Sequence, residues 1–140
     1  MSITATRTGA WDQPVSGGDF NYVAGGAIKQ YAAVKADSTE GQVVETSAIT
    51  DIMLGIAQTA AASGETVTVR RLGVSKYLAD VASSYGNELM PSASGGSKTG
   101  QLKVAAGATA RTCAVVEHAA ADQETGACFI VTPGKQPPNS

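Results

Sequence analysis

The sequence predicts an all-β protein in which two similar units of about sixty residues fold around one core. Three observations carry this reading. Nearly half of the 140 residues are Ala, Gly, Ser or Thr, while aromatic residues make up only 5%. Such a composition suits short strands and tight turns better than a helical bundle. Strand-type periods recur, most clearly in Thr66-Val67-Thr68-Val69-Arg70, where Val67 and Val69 share one face and Thr66, Thr68 and Arg70 the other. The order of elements also repeats within the chain.

The repeat is legible residue by residue. Gly41-Gln42-Val43-Val44 returns fifty-nine positions later as Gly100-Gln101-Leu102-Lys103-Val104. An apolar run follows each, Asp51–Gln58 and Arg111–His118, then an alanine stretch, Ala60-Ala61-Ala62 and Ala119-Ala120-Ala121. A glycine (Gly64, Gly126) precedes a strand in both, Thr66–Val69 and Cys128–Val131, and Gly73 and Gly134 close the units. A two-residue insertion near Asp122–Thr125 accommodates the difference in length. Two copies are too few for a solenoid, so a pair of like units around one core is expected.

The remaining segments read differently. Residues 1–24 hold no sustained alternation and form an extended N-terminal arm carrying Trp11, Phe20 and Tyr22, with Gly17-Gly18 and Gly25-Gly26 around the last two. Residues 25–134 form the β domain, and residues 135–140 a polar tail ending Pro137-Pro138-Asn139-Ser140. Tyr77, Leu78, Val81 and Ala82 have helical spacing, which predicts at most one short helix within Lys76–Ser84.

Several function classes fall away. The net charge is −2 and the only basic pair is Arg70-Arg71, leaving no footprint for nucleic acid. The longest apolar stretch, Ile52–Ala57, is too short for a bilayer, and Met1–Arg7 lacks a signal-peptide pattern, so synthesis in a cytoplasm is expected. Cys113 and Cys128 read as buried free thiols of a reducing compartment. Gly95-Gly96-Ser97-Lys98-Thr99-Gly100 lacks the glycine before lysine that a phosphate loop needs, and reads as a turn. Strand alternation puts Cys113 and Glu117 on one face and His118 on the other, which separates the thiol from the only imidazole. One His and two Cys match no zinc pattern. The carboxylates Asp80, Glu88, Glu40 and Glu45 read as solvated charge. No catalytic residue, cofactor or metal is expected, and the protein is read as a non-enzyme. Trp11, Phe20 and Tyr22 remain as candidates for anchoring an arm on a partner, or for patching the small core.

The glycine-bounded short-strand unit Leu54-Gly55-Ile56-Ala57 … Ala60-Ala61-Ala62-Ser63-Gly64-Glu65-Thr66-Val67-Thr68-Val69 … Leu72-Gly73-Val74 resembles the core signature of tailed-phage capsid cement, or head decoration, proteins. The second copy, Ala114–Glu117 with Gly126–Val131, fits the same pattern, as do Gly41–Val44 and Gly86–Met90. The resemblance covers about residues 25–134. It implies a small tulip-like β-barrel that assembles as homotrimers on the outer surface of a phage head. There it would bind the major capsid protein and stabilise the mature shell, with Trp11, Phe20 and Tyr22 as capsid-binding arm candidates. The alternative is a non-enzymatic β module of a phage tail or fibre that recognises carbohydrate or a cell surface, stacking sugars on Trp11, Tyr77 or Tyr85.

Overall fold

The computed structural model describes residues 18–92, 98–107 and 112–135, the last four by backbone alone. Among them there is no α-helix. Strands β1 (Asp19–Ala24), β2 (Ala33–Ala36), β3 (Gln42–Glu45), β4 (Gly55–Ala57) and β5 (Thr66–Arg70) close into a barrel in the order β1-β3-β2-β4-β5. Strands β6 (Gly73–Leu78), β7 (Glu88–Pro91), β8 (Leu102–Val104), β9 (Thr112–His118) and β10 (Thr125–Lys135) form a second sheet in the order β6-β10-β9-β7-β8. The all-β expectation and the small barrel are both present.

The two sets are one arrangement built twice. The antiparallel pairs β1–β5, β4–β5, β2–β4 and β2–β3 recur as β6–β10, β9–β10, β7–β9 and β7–β8. The parallel contact that closes the barrel, Ala24 with Val43, recurs as the single parallel bridge Ala79 with Leu102. Backbone hydrogen bonds outside the ladders repeat as well. Ala24 N–H donates to Glu65 as Ala79 does to Glu124; Ile28 donates to Ala61 as Ser83 does to Ala120; Ala57 donates to Ala32 as Val116 does to Asn87. Equivalent residues stand fifty-five positions apart up to Asp37 and Ser92, and fifty-nine apart from Gln42 and Gln101 onward. Four extra residues therefore lie between Ser92 and Gln101. The insertion expected near Asp122–Thr125 is not there, because Glu65 and Glu124 are already in step with Ala61 and Ala120.

Left-handed backbone follows the same duplication. Gln123 (φ 63) takes the position of Gly64 (φ 88), and Tyr31 (φ 67) that of Gly86 (φ 85). A non-glycine residue in that region costs about 1–2 kcal/mol. The turn is thus imposed by the architecture at both places, with glycine in one half only.

Two sequence expectations are corrected by strand pairing. The arm does not extend to residue 24: β1 pairs with β5 from Asp19 to Val23 and with β3 through Val23 and Ala24, so residues 19–24 are barrel wall. The segment Lys76–Ser84 is not helical. Its first half belongs to β6, and its apolar neighbours go to different cores: Tyr77 is buried in the second half, while Leu78 packs against the core of the first. Adjacent side chains turned to opposite sides are the mark of a strand.

Each half encloses its own apolar cluster. Val34, Val43, Ala57, Val67 and Val69 fill the barrel; Tyr77, Leu89, Leu102, Cys113, Val116, Cys128 and Ile130 fill the second half. Ala33, Met53 and Ile56 of the first half reach into the second cluster. Backbone bonds join the halves too: Ala33 N–H donates to Gly100, whose own N–H donates to Thr46. The two units thus have a core each, joined by shared residues and backbone bonds, where the sequence suggested a single core. Gly55 makes the barrel tight at β4, since a Cβ there would collide with the Arg70 backbone oxygen and the Val69 side chain.

Candidate capsid-binding surface

The proposed anchors fall in two places. Trp11 lies outside the described residues. Phe20 and Tyr22 stand on β1, where Phe20, Tyr22 and Ala24 alternate with the exposed Asp19, Asn21 and Val23. Tyr22 packs against the barrel core, and its hydroxyl accepts a hydrogen bond from Arg71 Nη1 at 3.1 Å. The same guanidinium lies 5.8 Å from the centre of the Phe20 ring, within cation–π range. Tyr22 also has a twin. Tyr77, fifty-five residues on, fills the equivalent place on β6, is 1% exposed, and its hydroxyl bonds Ser83 Oγ. Phe20 and Tyr22 are thus fixed in the barrel and are not on a free arm. The Phe20–Tyr22–Ala24 alternation and the Tyr22/Tyr77 pairing were the sequence signals for this. Burial also removes Tyr77 as a sugar-stacking platform, while Tyr85 is 76% exposed.

The outer faces of the two halves differ at matched positions. On the barrel, Arg70 grips the Asp19 carboxylate with Nε at 2.8 Å and Nη2 at 3.1 Å, and Thr68 Oγ1 donates to Asn21 Oδ1 at 3.0 Å. Hydrogen bonding to Asp19 raises the Arg70 pKa further, so the guanidinium stays charged. Arg70 Nη1 also donates to Val74 C=O at 2.9 Å, tying β5 to β6. On the second half, the residues equivalent to Asp19 and Arg70 are Val74 and Phe129. They are cross-strand partners, and they are 49% and 48% exposed. Val115 faces Phe129 from β9, and exposed Leu72 and Val131 continue the apolar surface.

The remaining candidates for chemistry are held in structural roles. Cys113 and Cys128 are free and buried. Burial raises both thiols, with Cys113 pushed further by Cys128, and Cys128 pushed up to about 12 with help from Glu117. A thiol so far from ionisation is a poor nucleophile. The expected shared face of Cys113 and Glu117 is not found: Glu117 is exposed, whereas Cys113 and Ala114 are both buried, so alternation breaks at the Thr112 end of β9, where the β9–β10 register shifts between Ile130 and Lys135. His118 is exposed. Asp80 is not solvated as expected: it is buried, bonded by Ser92 Oγ and by Gln123 Nε2 at 3.1 Å, with Lys98 Nζ at 3.7 Å. Glu45 receives Lys29 Nζ at 3.0 Å in a clasp that also includes Thr99. The Lys98–Gly100 end of the glycine-rich segment thus contacts Asp80 and the first half. No group of three His, Cys, Asp or Glu side chains suited to a metal occurs among the described residues.

A family model for phage cement proteins matches residues 23–130. The chain belongs to the phage cement protein family. The match runs from β1 to β10 and therefore spans both halves of the duplication. No curated protein matches the sequence. Among solved structures, the base of the head fiber gp8.5 N of bacteriophage phi29 is similar in fold, with a TM-score of 0.61 at 13% identity, covering 85% of this chain and 98% of that one. This cement protein is a structural protein of phage.

Proposed function

We propose that this cement protein binds the major capsid protein on the outer surface of a phage head and stabilises the mature shell. The observation that carries the reading is the family match over residues 23–130. The fold suits the role: a small, doubly built β body with an apolar row on one face needs no pocket to act as a clamp. Homotrimers would engage several shell subunits at once. Simultaneous engagement multiplies modest single contacts by about 10²–10⁴, and binding only the mature shell stabilises that state by mass action. The arm, shortened by the placement of β1 to the residues before Asp19, adds Trp11 as an anchor. The protein is made in the host cytoplasm and resides on the virion exterior.

The test uses phage heads assembled without this protein. Purified protein is added at increasing concentration, and bound copies per head and the temperature of head rupture are measured. Saturable binding at a fixed multiple of the shell's symmetry, with a rise in rupture temperature, is expected. Failure to bind heads, or binding without any gain in resistance, overturns the reading.

A further inference from the structure

We propose that the outer face of the second half, centred on Val74 and Phe129 and continued by Leu72, Val115 and Val131, is the surface that seats on the shell. The occupant is an apolar, charge-poor patch on the outside of the capsid subunit. This inference rests on the head-binding function proposed above and names the contact that performs it.

The argument starts from the duplication. Two halves with the same strand order and the same backbone bonds place the same demands on a cross-strand pair at the same position. In the first half that pair is Asp19 and Arg70, joined by two hydrogen bonds and open to water. In the second half it is Val74 and Phe129, each about half exposed. The fold therefore does not require apolar side chains there, since its twin does without them. Two neighbouring apolar side chains left half in water weaken solubility without adding to the core, and contiguous exposed apolar surface marks an interaction site. The row is not isolated: Val115 is in register with Phe129, and Val131 and Leu72 extend it.

The end of the described chain points to the same side. Gly18 abuts Leu72, with a Cβ at Gly18 falling 2.7 Å from Leu72 Cβ, and Gly18 C=O accepts a hydrogen bond from Arg71 N–H. The described chain thus begins at the border of the apolar row. For a protein of the phage cement family the partner such a row serves is the capsid.

The test copies the first half onto the second. Val74→Asp with Phe129→Arg installs the Asp19–Arg70 pair on an equivalent backbone, so the variant is expected to fold. Val74→Ser with Phe129→Ser serves as an independent second variant. Binding to heads lacking the protein is compared with wild type, alongside light-scattering mass and thermal unfolding. The expected result is at least tenfold weaker head binding by both variants, with unchanged mass and a single unfolding transition. Head binding at the wild-type level overturns the inference while leaving the head-binding function intact. Weaker binding together with a fall in mass also overturns it, since the row then joins copies of this chain. A rise in dye binding at the row on removal of residues 1–17, with head binding unaffected, would identify the arm as its cover and overturn it too. If the wild-type protein itself fails to bind heads, the functional proposal fails first.

Discussion

The paired tyrosines give the sharpest test of the duplicated architecture. Tyr77 is 1% exposed inside the second core, and its hydroxyl is used by Ser83 Oγ. Removing a fully buried aromatic ring costs about 3–5 kcal/mol, a large part of the ~5–15 kcal/mol that holds a domain together. Tyr22 is the equivalent residue on β1 but only partly buried, with its hydroxyl bound by Arg71 at the surface. Burial of about half a ring places Tyr22→Ala near 1–2 kcal/mol. The hydroxyls should differ as well. Tyr77→Phe leaves Ser83, which is 8% exposed, short of a partner, at a cost of about 0.5–1.5 kcal/mol; Tyr22→Phe leaves Arg71 with water to turn to and should be close to neutral. Urea unfolding of the four variants measures all of this, with slopes equal to wild type. The reasoning is refuted if Tyr22→Ala costs as much as Tyr77→Ala, or if Tyr77→Ala costs less than about 1 kcal/mol.

Further outcomes follow from other sites. Asp51 accepts Ser47 and Ala48 N–H and Lys35 Nζ; burial alone would raise its pKa, but these donors outweigh it and hold the carboxyl below 3.8. A carboxyl lowered in the folded state stabilises above its unfolded pKa and loses that contribution as pH falls through the native value. Asp51→Asn should therefore cost about 1–2 kcal/mol at pH 7 and flatten the loss of stability below pH 4, as read by urea midpoints against pH. The Cys128 thiol runs the opposite way: raised from 9.0 to about 12, it contributes fully below pH 9 and the contribution is lost as pH climbs from 9 to 12. Neither cysteine should react with a thiol reagent in native protein at pH 8, and both should react in urea. Gly55→Ala must push β4 from the Arg70 backbone and should cost about 1–3 kcal/mol, whereas the same change at Gly26, which meets nothing, should cost less than 0.5 kcal/mol. Deleting residues 1–17 should leave the fold intact, while deleting 1–24 removes β1 and should abolish the barrel, as circular dichroism melts would show.

The sequence revealed the repeat where the two copies keep small residues at one spacing. Gly41 and Gly100, Ala61 and Ala120, and Glu65 and Glu124 are all fifty-nine apart, and β3, β5 and the start of β10 lie among them. The front of each unit was hidden because its spacing is fifty-five, with Gly18/Gly73, Tyr22/Tyr77, Ala24/Ala79 and Ala27/Ala82 as its sparse identities. With β1 unrecognised, Phe20 and Tyr22 looked like arm residues, and Tyr77 with Leu78 looked helical. The apolar row was out of reach for a different reason. Val74, Phe129 and Val115 lie on three separate strands, and only the register of β6, β10 and β9 puts them side by side. The Cys113–Glu117 misplacement has the same source, since a register shift is invisible to an alternation rule.

The central claim, that this cement protein clothes the outside of a phage head, is tested most directly by counting its copies on purified DNA-filled heads and imaging where they sit. Hundreds of copies per head, external and ordered with the shell lattice, are the result the account predicts. A handful of copies confined to the tail or fibres, or none retained on heads, would contradict it.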